Sequence, residues 1–369
     1  MNNMCKKSTD NVLPAQRNSS FELLRIISMF LIVMSHYTTQ GIQPLKSGIM
    51  DLVYSLFPIG GTVGVDCFVL ITGYFMINSS VTFTKIARLL YQVFIVAASI
   101  SLAAYFIGSP WFETGSKQLM KSAIGIFCNY WFINTYLLLM LLSPFLNKIL
   151  RKMTQKQHLI CMCALVFLNY MAPHCHIPII SNVGLFITLY AISAYIRMYV
   201  PSNWISVRKV GIFIIALLII EVVLIWLTHQ NRVFSALFAG SILGHDSLYL
   251  LIFSTLVFVL FTRLFINNSR AINYMGSCTL GIYLFHEHVS MRHFLWQTIL
   301  NCEQVPYGNT PYLHSLIAIP FVFGISLVVA MLYRHTFGYL YAPLYRYILN
   351  PVYCAIKSKL THYPKTSSN

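Results

Sequence analysis

The sequence predicts an all-α integral membrane protein, a bundle of about ten transmembrane helices with both termini in the cytosol. Composition is the first observation behind this prediction. The 369 residues are 57% hydrophobic and only 9% charged, with a mean hydropathy of +0.68. Soluble domains usually carry about 25% charged residues, so the chain has little mass outside the membrane.

Ten apolar runs separated by Pro, Gly, Asn and Ser are the second observation. A membrane helix needs about 20 apolar residues, and these runs approach or exceed that length. The predicted helices are Phe21–Gln40, Pro58–Ile77, Thr84–Ile107, Phe127–Ile149, His158–Ala172, Val183–Val200, Val210–Leu227, Ser247–Ile266, Ile272–Val289 and His314–Tyr333.

The distribution of positive charge is the third observation. The formal net charge is +16, but the Lys and Arg residues lie in short loops between apolar runs, so no nucleic-acid partner is predicted. With a cytosolic N-terminus and ten crossings, 20 of the 25 Lys and Arg residues fall inside. The five that fall outside are Lys46, Lys117, Lys121, Arg232 and Arg292. We therefore expect a cytosolic tail over residues 1–20, a polytopic membrane domain over 21–340 and a basic cytosolic tail over 341–369.

Arg25 and His36 stand eleven residues apart in the first predicted helix. At about 100° per residue they share one face, and they are separated by about 16 Å along the axis. Ionisable residues inside a membrane are costly and mark functional sites by default. His36 is a candidate general base, or a histidine that is hydrogen-bonded at the interface. Arg25 is a candidate cation for an anionic substrate group, or a snorkelling anchor that pairs with Glu22.

Other polar residues in the apolar runs have a structural and a functional interpretation. Asp66 lies at the middle of the second run, where neighbouring glycines allow close helix packing, and we expect it to pair with another helix. Lys85 and Arg88 begin the third helix, either as positive-inside anchors or as a site for a phosphate-bearing cosubstrate.

Tyr136 and the HEH segment complete the candidate residues. Tyr136 belongs to the aromatic-rich start of the fourth helix. His286 and Glu287 do not form the H-E-x-x-H pattern, and adjacent residues of a helix point to different faces, so no metal site is predicted. The sequence also lacks the phosphate-binding and hydrolase motifs GxGxxG, GxxxxGK[ST] and GxSxG.

Several segments together resemble the bacterial membrane-bound acyltransferase 3 family. They are the R-x10-H arrangement of Arg25 and His36, GVDCFVLITGYF in the second helix, YWFINTYLLLMLLSPFLN in the fourth and GSCTLGIYLFHEH in the ninth. The family commonly carries R-x-R near the third helix, where this chain has Lys85-Ile86-Ala87-Arg88, and Thr72 stands where many relatives have Ser.

This resemblance implies an enzyme of the bacterial inner (cytoplasmic) membrane. It would move an acyl group, most simply acetyl, from acyl-CoA to a hydroxyl of a cell-surface polysaccharide or its lipid-linked precursor. Acetyl-CoA would be a cosubstrate, with no bound cofactor, and the other partners would be the glycan and membrane lipid. His36 and Arg25 would be catalytic, Lys85 and Arg88 would bind the donor, and Glu22, Asp66, Tyr136 and His286 would support them. A transient acyl-histidine and a transporter or flippase of lipid-linked sugars remain as alternatives.

Overall fold

A computed structural model describes residues 17–42, 49–107, 130–171, 182–201, 203–231, 233–235, 244, 247–307, 311–344, 346–347 and 351. Within these ranges the regular structure is helical and no strand is present, as predicted. The α-helices are α1 (Ser19–His36), α2 (Ile49–Ser55), α3 (Phe57–Met76), α4 (Phe83–Ile107), α5 (Trp131–Leu150), α6 (Gln155–Val166), α7 (Asn182–Tyr199), α8 (Val207–Gln230), α9 (Leu248–Arg263), α10 (Arg270–Gly276), α11 (Thr279–His286), α12 (Val289–His293) and α13 (Pro311–Leu344).

Six segments in the described residues are long and apolar enough to cross a membrane, so the chain is a multi-pass membrane protein by length and composition. They are Ser19–Gly41, Asp51–Met76, Phe83–Ile107, Trp131–Leu150, Val207–Gln230 and Pro311–Phe337. Several sequence predictions lie outside the described residues, namely the start of the fourth helix at Phe127, most of both terminal tails, and four of the five outer cations, Lys46, Lys117, Lys121 and Arg232.

The remaining four predicted spans are shorter, less apolar or broken in the structure. Helix α6 is 12 residues long and continues as a π-helical turn, Phe167–Met171, while α9 has 16 residues. Helix α7 has 18 residues but buries hydroxyl groups, including those of Thr188 and Ser193, against its neighbours. The predicted ninth span, Ile272–Val289, is not one helix, because the chain turns after Gly276 and again at Glu287.

Helix α1 packs closely along α3, and glycines make this approach possible. A Cβ on Gly64 would lie 2.5 Å from the carbonyl oxygen of Ser28, and one on Gly60 would lie 2.7 Å from the methyl group of Met34. Further along α3, Gly73 lies against Tyr190 of α7 in the same way. The glycine-rich second run therefore serves helix packing, as the sequence predicted.

Helix α13 runs eleven residues past its predicted end at Tyr333. Two aromatic rings in this extension, Phe337 and Tyr341, stack on each other at 5.5 Å, and both pack against Tyr91 of α4. The guanidinium of Arg88 lies 5.6 Å from the Phe337 ring centroid. These contacts with α4 stabilise helix beyond the apolar run from which the end was predicted.

Gly64→Ala should lower the thermal unfolding midpoint of the purified protein in detergent. The added methyl group would meet the backbone of Ser28, which cannot move as a side chain can, and overpacking of this kind costs about 1–3 kcal/mol. Gly211→Ala in α8 is the matched control, because nothing lies within 4 Å of its Cβ position and alanine favours a helix by about 1 kcal/mol. Equal midpoints for the two variants would contradict this account of the α1–α3 contact.

Candidate active site

A cavity of about 400 Å³ lies between α1, α3, α4, α5 and the α10–α11 segment. Helix α1 contributes Arg25, Met29, Ile32 and His36 to its wall. These positions are spaced by four, three and four residues, so they form one face of the helix. The predicted shared face of Arg25 and His36 is thus present, and both side chains line the same space.

Three cations line the Arg25 end of the cavity: Arg17, Arg25 and Lys85. The buried carboxylate of Glu22 pairs with Arg25 at 2.6 Å and with Arg17 at 3.2 Å. One carboxylate therefore holds two guanidinium groups in place and leaves this end of the cavity net positive. Such an end suits an anionic group with several charges, for example a phosphate.

The wall between Arg25 and His36 is mostly apolar. The apolar lining includes Met29 and Ile32 of α1, Val65 and Phe68 of α3, and Phe132 of α5. The sequence of α1 identifies its two ionisable residues, but it does not indicate the neighbouring helices that complete the cavity wall. The middle of the cavity suits a thin, weakly polar chain.

The His36 end is a buried cluster of hydrogen-bonding groups. Nδ1 of His36 lies 3.0 Å from Nε2 of His286 and 3.1 Å from Oε1 of Glu287. His286 is fully buried and Glu287 is nearly so. The His36 side chain thus meets an imidazole and a carboxylate at a single ring nitrogen.

These contacts indicate which ring nitrogen of His36 is free. Nδ1 of His286 lies 2.7 Å from the carbonyl oxygen of Ile282, and a carbonyl only accepts, so this nitrogen carries a hydrogen. A neutral His286 then offers Nε2 as an acceptor. Nδ1 of His36 must therefore donate, to His286 and Glu287, and its Nε2 keeps a lone pair. A histidine held in this tautomer can take a proton from a hydroxyl group.

Glu287 is fixed by donors from two further residues. Nε2 of Gln40 donates to its Oε1 at 2.8 Å, and the guanidinium of Arg292 donates to its Oε2 at 2.9 Å. A buried carboxylate is costly unless it is paired and hydrogen-bonded, and these contacts meet that need. The carboxylate in turn orients His36.

Two departures from regular α-helix bring this cluster together. A π-helical turn, Tyr37–Gly41, follows α1 directly and carries Gln40 to Glu287. Helix α11 ends at His286, and Glu287 lies in the turn that follows. Neighbouring residues of a continuous helix would point about 100° apart, but the turn lets both reach His36. π-Helical turns of this kind occur frequently at functional sites.

Tyr283 and the predicted residue Tyr136 also line the cavity. The Tyr283 side chain is 5% exposed, and its hydroxyl donates no hydrogen bond in the described part of the chain. Its ring lies 6.1 Å from the ring of His286, edge to face. Thr72 lines the cavity too, and its hydroxyl donates to the carbonyl of Phe68.

His36, His286 and Glu287 are also close enough to be considered as metal ligands. One ligand atom from each lies within 4.8 Å of the others. Yet both oxygens of Glu287 already accept hydrogen bonds, and the charge of Arg292 beside it opposes a second cation. The contacts therefore favour a hydrogen-bonded cluster over a metal centre, although His and Glu are suitable zinc ligands.

Two predicted site residues, Asp66 and Arg88, lie away from this cavity. The carboxyl of Asp66 is buried elsewhere and accepts a hydrogen bond from Ser254 of α9 at 2.9 Å, as expected for a residue that pairs with another helix. Arg88 lies against the aromatic rings of α13 instead of beside Lys85. Of the other predicted residues, Lys85 and Tyr136 line the cavity. Directly beside it, His286 contacts His36 and Glu22 contacts Arg25.

Sequence reasoning did not assign Arg17, Gln40, Tyr283, Glu287 or Arg292 to the site. Glu287 carried a usable signal, since it is an acidic residue inside an apolar run. The prediction of one continuous helix over Ile272–Val289 hides this signal, because adjacent residues of a helix point to different faces. Arg17 precedes the first apolar run, and only its contact with Glu22 reveals its place at the cavity.

Fold and cavity together define a class of protein: a polytopic helical membrane protein with a buried histidine–carboxylate cluster at one end of a cavity and cations at the other. The chain belongs to the acyltransferase 3 family, because the family model described as an acyltransferase domain matches residues 18–335. This membership supports acyltransferase activity in a membrane. No curated protein and no solved structure matches the sequence.

Proposed function

We propose that this protein is an O-acyltransferase of the bacterial inner membrane. It would move an acetyl or other acyl group from acyl-CoA to a hydroxyl of a cell-surface polysaccharide or its lipid-linked precursor. The observation that carries the proposal is the single cavity that has His36, oriented by Glu287, at one end and three cations at the other. Both termini and the cationic end would face the cytosol in a ten-crossing topology, so that the donor enters from there.

The cavity matches the chemical order of an acyl-CoA molecule. Its phosphates would pair with Arg17, Arg25 and Lys85, and its slender pantetheine arm would lie along the apolar wall. The distance from Arg25 to His36, about 16 Å for eleven helical residues, is similar to the length of that arm. The thioester would then lie beside His36.

In the proposed reaction Nε2 of His36 takes the proton of the acceptor hydroxyl as its oxygen attacks the thioester carbonyl carbon. The C–O bond forms, the C–S bond breaks, and the CoA thiolate takes the proton back from His36. Glu287 stabilises the imidazolium that exists between these steps, because its carboxylate contacts Nδ1. No further reactant is needed, and the products are the ester and free CoA.

Tyr283 is suited to stabilise the negative charge that develops on the carbonyl oxygen. Tyr283 is one of the residues that line the cavity, and its buried hydroxyl has no hydrogen-bond acceptor in the described part of the chain. A buried donor without an acceptor is costly unless it serves a ligand. A preoriented donor aimed at a developing oxyanion is a major source of catalysis in acyl transfer.

An acyl-transfer assay would test this function. It combines labelled acetyl-CoA with membranes that contain the protein and an extract of surface glycan. We expect label in the glycan with the wild-type protein and a loss of at least about 10²-fold for His36→Ala, since general-base catalysis contributes about 10²–10⁴-fold. His335→Ala is the matched control, because this histidine is exposed on α13. Glycan translocation without label transfer would favour the flippase alternative, and an active His36→Ala variant would refute the mechanism.

The proposed donor site predicts that two neighbouring cations of α4, Lys85 and Arg88, differ in their effect on the KM for acyl-CoA. Lys85→Ala should raise the KM for acyl-CoA about ten-fold, because it removes a charged contact with a phosphate. Arg88→Ala should leave this KM unchanged and lower the unfolding midpoint, because its guanidinium packs on aromatic rings. A rise in this KM for Arg88→Ala would instead support the donor-binding role that the sequence suggested for Arg88, and would contradict the structural role proposed here.

Tyr283→Phe removes only a hydroxyl group and should lower kcat about 10²–10³-fold, with little effect on the KM for acyl-CoA. Tyr130→Phe is the comparison, since that neighbouring buried hydroxyl donates to the carbonyl of Leu284 and supports packing. We expect its effect to appear in the unfolding midpoint. Wild-type kcat for Tyr283→Phe would exclude the phenol from the reaction.

A further inference from the structure

A second cavity, of about 390 Å³, lies on the opposite side of α1 from the candidate active site. Ile27, Leu31 and Met34 of α1 line it, and the rest of the wall comes from Leu56 and from α3, α8 and α9. Residues 27, 31 and 34 fall on the helix face that points away from Arg25 and His36. The two cavities are therefore separated by the body of α1.

The wall of this second cavity is almost entirely apolar, with one conspicuous exception. Glu221 of α8 lines it with a side chain that is only 1% exposed. Neither carboxyl oxygen has a hydrogen-bond partner in the described part of the chain. The hydroxyl of Tyr249, which also lines the cavity, donates to the carbonyl of Leu217 instead.

Glu221 lies far from the ends of α8 and has no cation beside it in the described part of the cavity wall. It lies nine residues before Gln230 and fourteen after Val207, so both ends of α8 are more than about 10 Å away along the axis. The next ionisable residue along α8, His229, pairs with Asp51 at 3.1 Å. No Lys, Arg or His lines the cavity within the described ranges. A buried carboxyl group without a partner is costly and marks a functional site.

The surroundings of the cavity indicate where a partner would come from. Leu218 is 48% exposed and Ile27 is 37% exposed, and both belong to the cavity wall. Helix α8 also exposes apolar side chains such as Ile219 and Ile220 next to the cavity. In a protein of this class such surfaces face lipid, so the cavity opens sideways into the membrane and receives ligands that dissolve there.

We propose that this cavity is a binding site for a lipophilic amine, with the ammonium group paired to Glu221 and the alkyl portion against the apolar wall. Charge complementarity selects this class, because the described lining residues offer one carboxyl, one phenol and no cation and are otherwise hydrocarbon. A neutral alkane or alcohol would fill the space but would leave the carboxyl without a charged partner. The amine comes either from a free amphiphile or from the headgroup of an aminolipid.

The test uses the full-length protein in phosphatidylcholine nanodiscs and the carboxyl reagent dicyclohexylcarbodiimide. This lipophilic reagent adds to a protonated carboxyl and remains attached as an acylurea, which peptide mass spectrometry locates. We expect Glu221 to be labelled. Dodecylamine at ten times its half-protecting concentration should lower the acylurea at Glu221 at least about ten-fold, because it excludes the reagent or is itself coupled to the activated carboxyl as an amide with release of dicyclohexylurea. Dodecanol of the same chain length should not have this effect. Asp66, a buried carboxyl of α3 that lies outside this cavity, serves as the internal control and should show no response to the amine.

Glu221→Gln provides the matched variant, since it keeps the shape and removes the charge. Dodecylamine should raise the unfolding midpoint of the wild-type protein and leave that of Glu221→Gln unchanged. If nanodiscs of phosphatidylethanolamine already block the labelling of Glu221 in the wild-type protein, the lipid headgroup supplies the amine. Failure of Glu221 to react, or equal protection by dodecylamine and dodecanol, would overturn the proposal; neither result depends on a variant that folds or on the acyltransferase activity.

Discussion

The carboxylate of Glu287 imposes the constraint on which the candidate active site depends. A charge buried to this degree must be satisfied by several donors, and those donors come from separate parts of the chain. His36 ends α1, Gln40 lies in the π-helical turn that follows, and Arg292 lies in α12. Satisfying one carboxylate therefore fixes the end of α1 against the turn after α11, and with it the ring orientation of His36.

The helices around the cluster are irregular, and hydrogen bonds between segments satisfy the backbone groups that the irregular turns leave free. Another π-helical turn near the cluster, Phe294–Ile299, places Gln297 so that its side-chain amide donates to the carbonyl of Gly41, at the end of the turn Tyr37–Gly41. At the other end of α11, Arg334 of α13 donates to the carbonyl of Tyr274, which the break after Gly276 leaves without a helical partner. Polar groups freed by each break thus find partners in neighbouring segments, as they must in a membrane.

Helix α1 divides the bundle into two chemically different halves. One face bears the ionisable residues and the candidate active site, and the other faces an apolar cavity with a single carboxyl group. Close packing on α3 through Gly60 and Gly64 holds α1 between them. The position of His36 relative to the cationic end is consequently set by a rigid helix, which suits a reaction that requires exact placement of a thioester.

The sequence by itself determined the helical membrane class, the glycine contacts and the shared face of Arg25 and His36, because composition and helical periodicity are local properties of the chain. It also indicated the family through short motifs. The tertiary structure alone decided that Glu287, 251 residues after His36, contacts it, that Arg17 joins Arg25 and Lys85, and that Arg88 does not. Where a helix breaks, and which turn then faces which helix, follows from packing between distant segments, and helical periodicity carries no information about that packing.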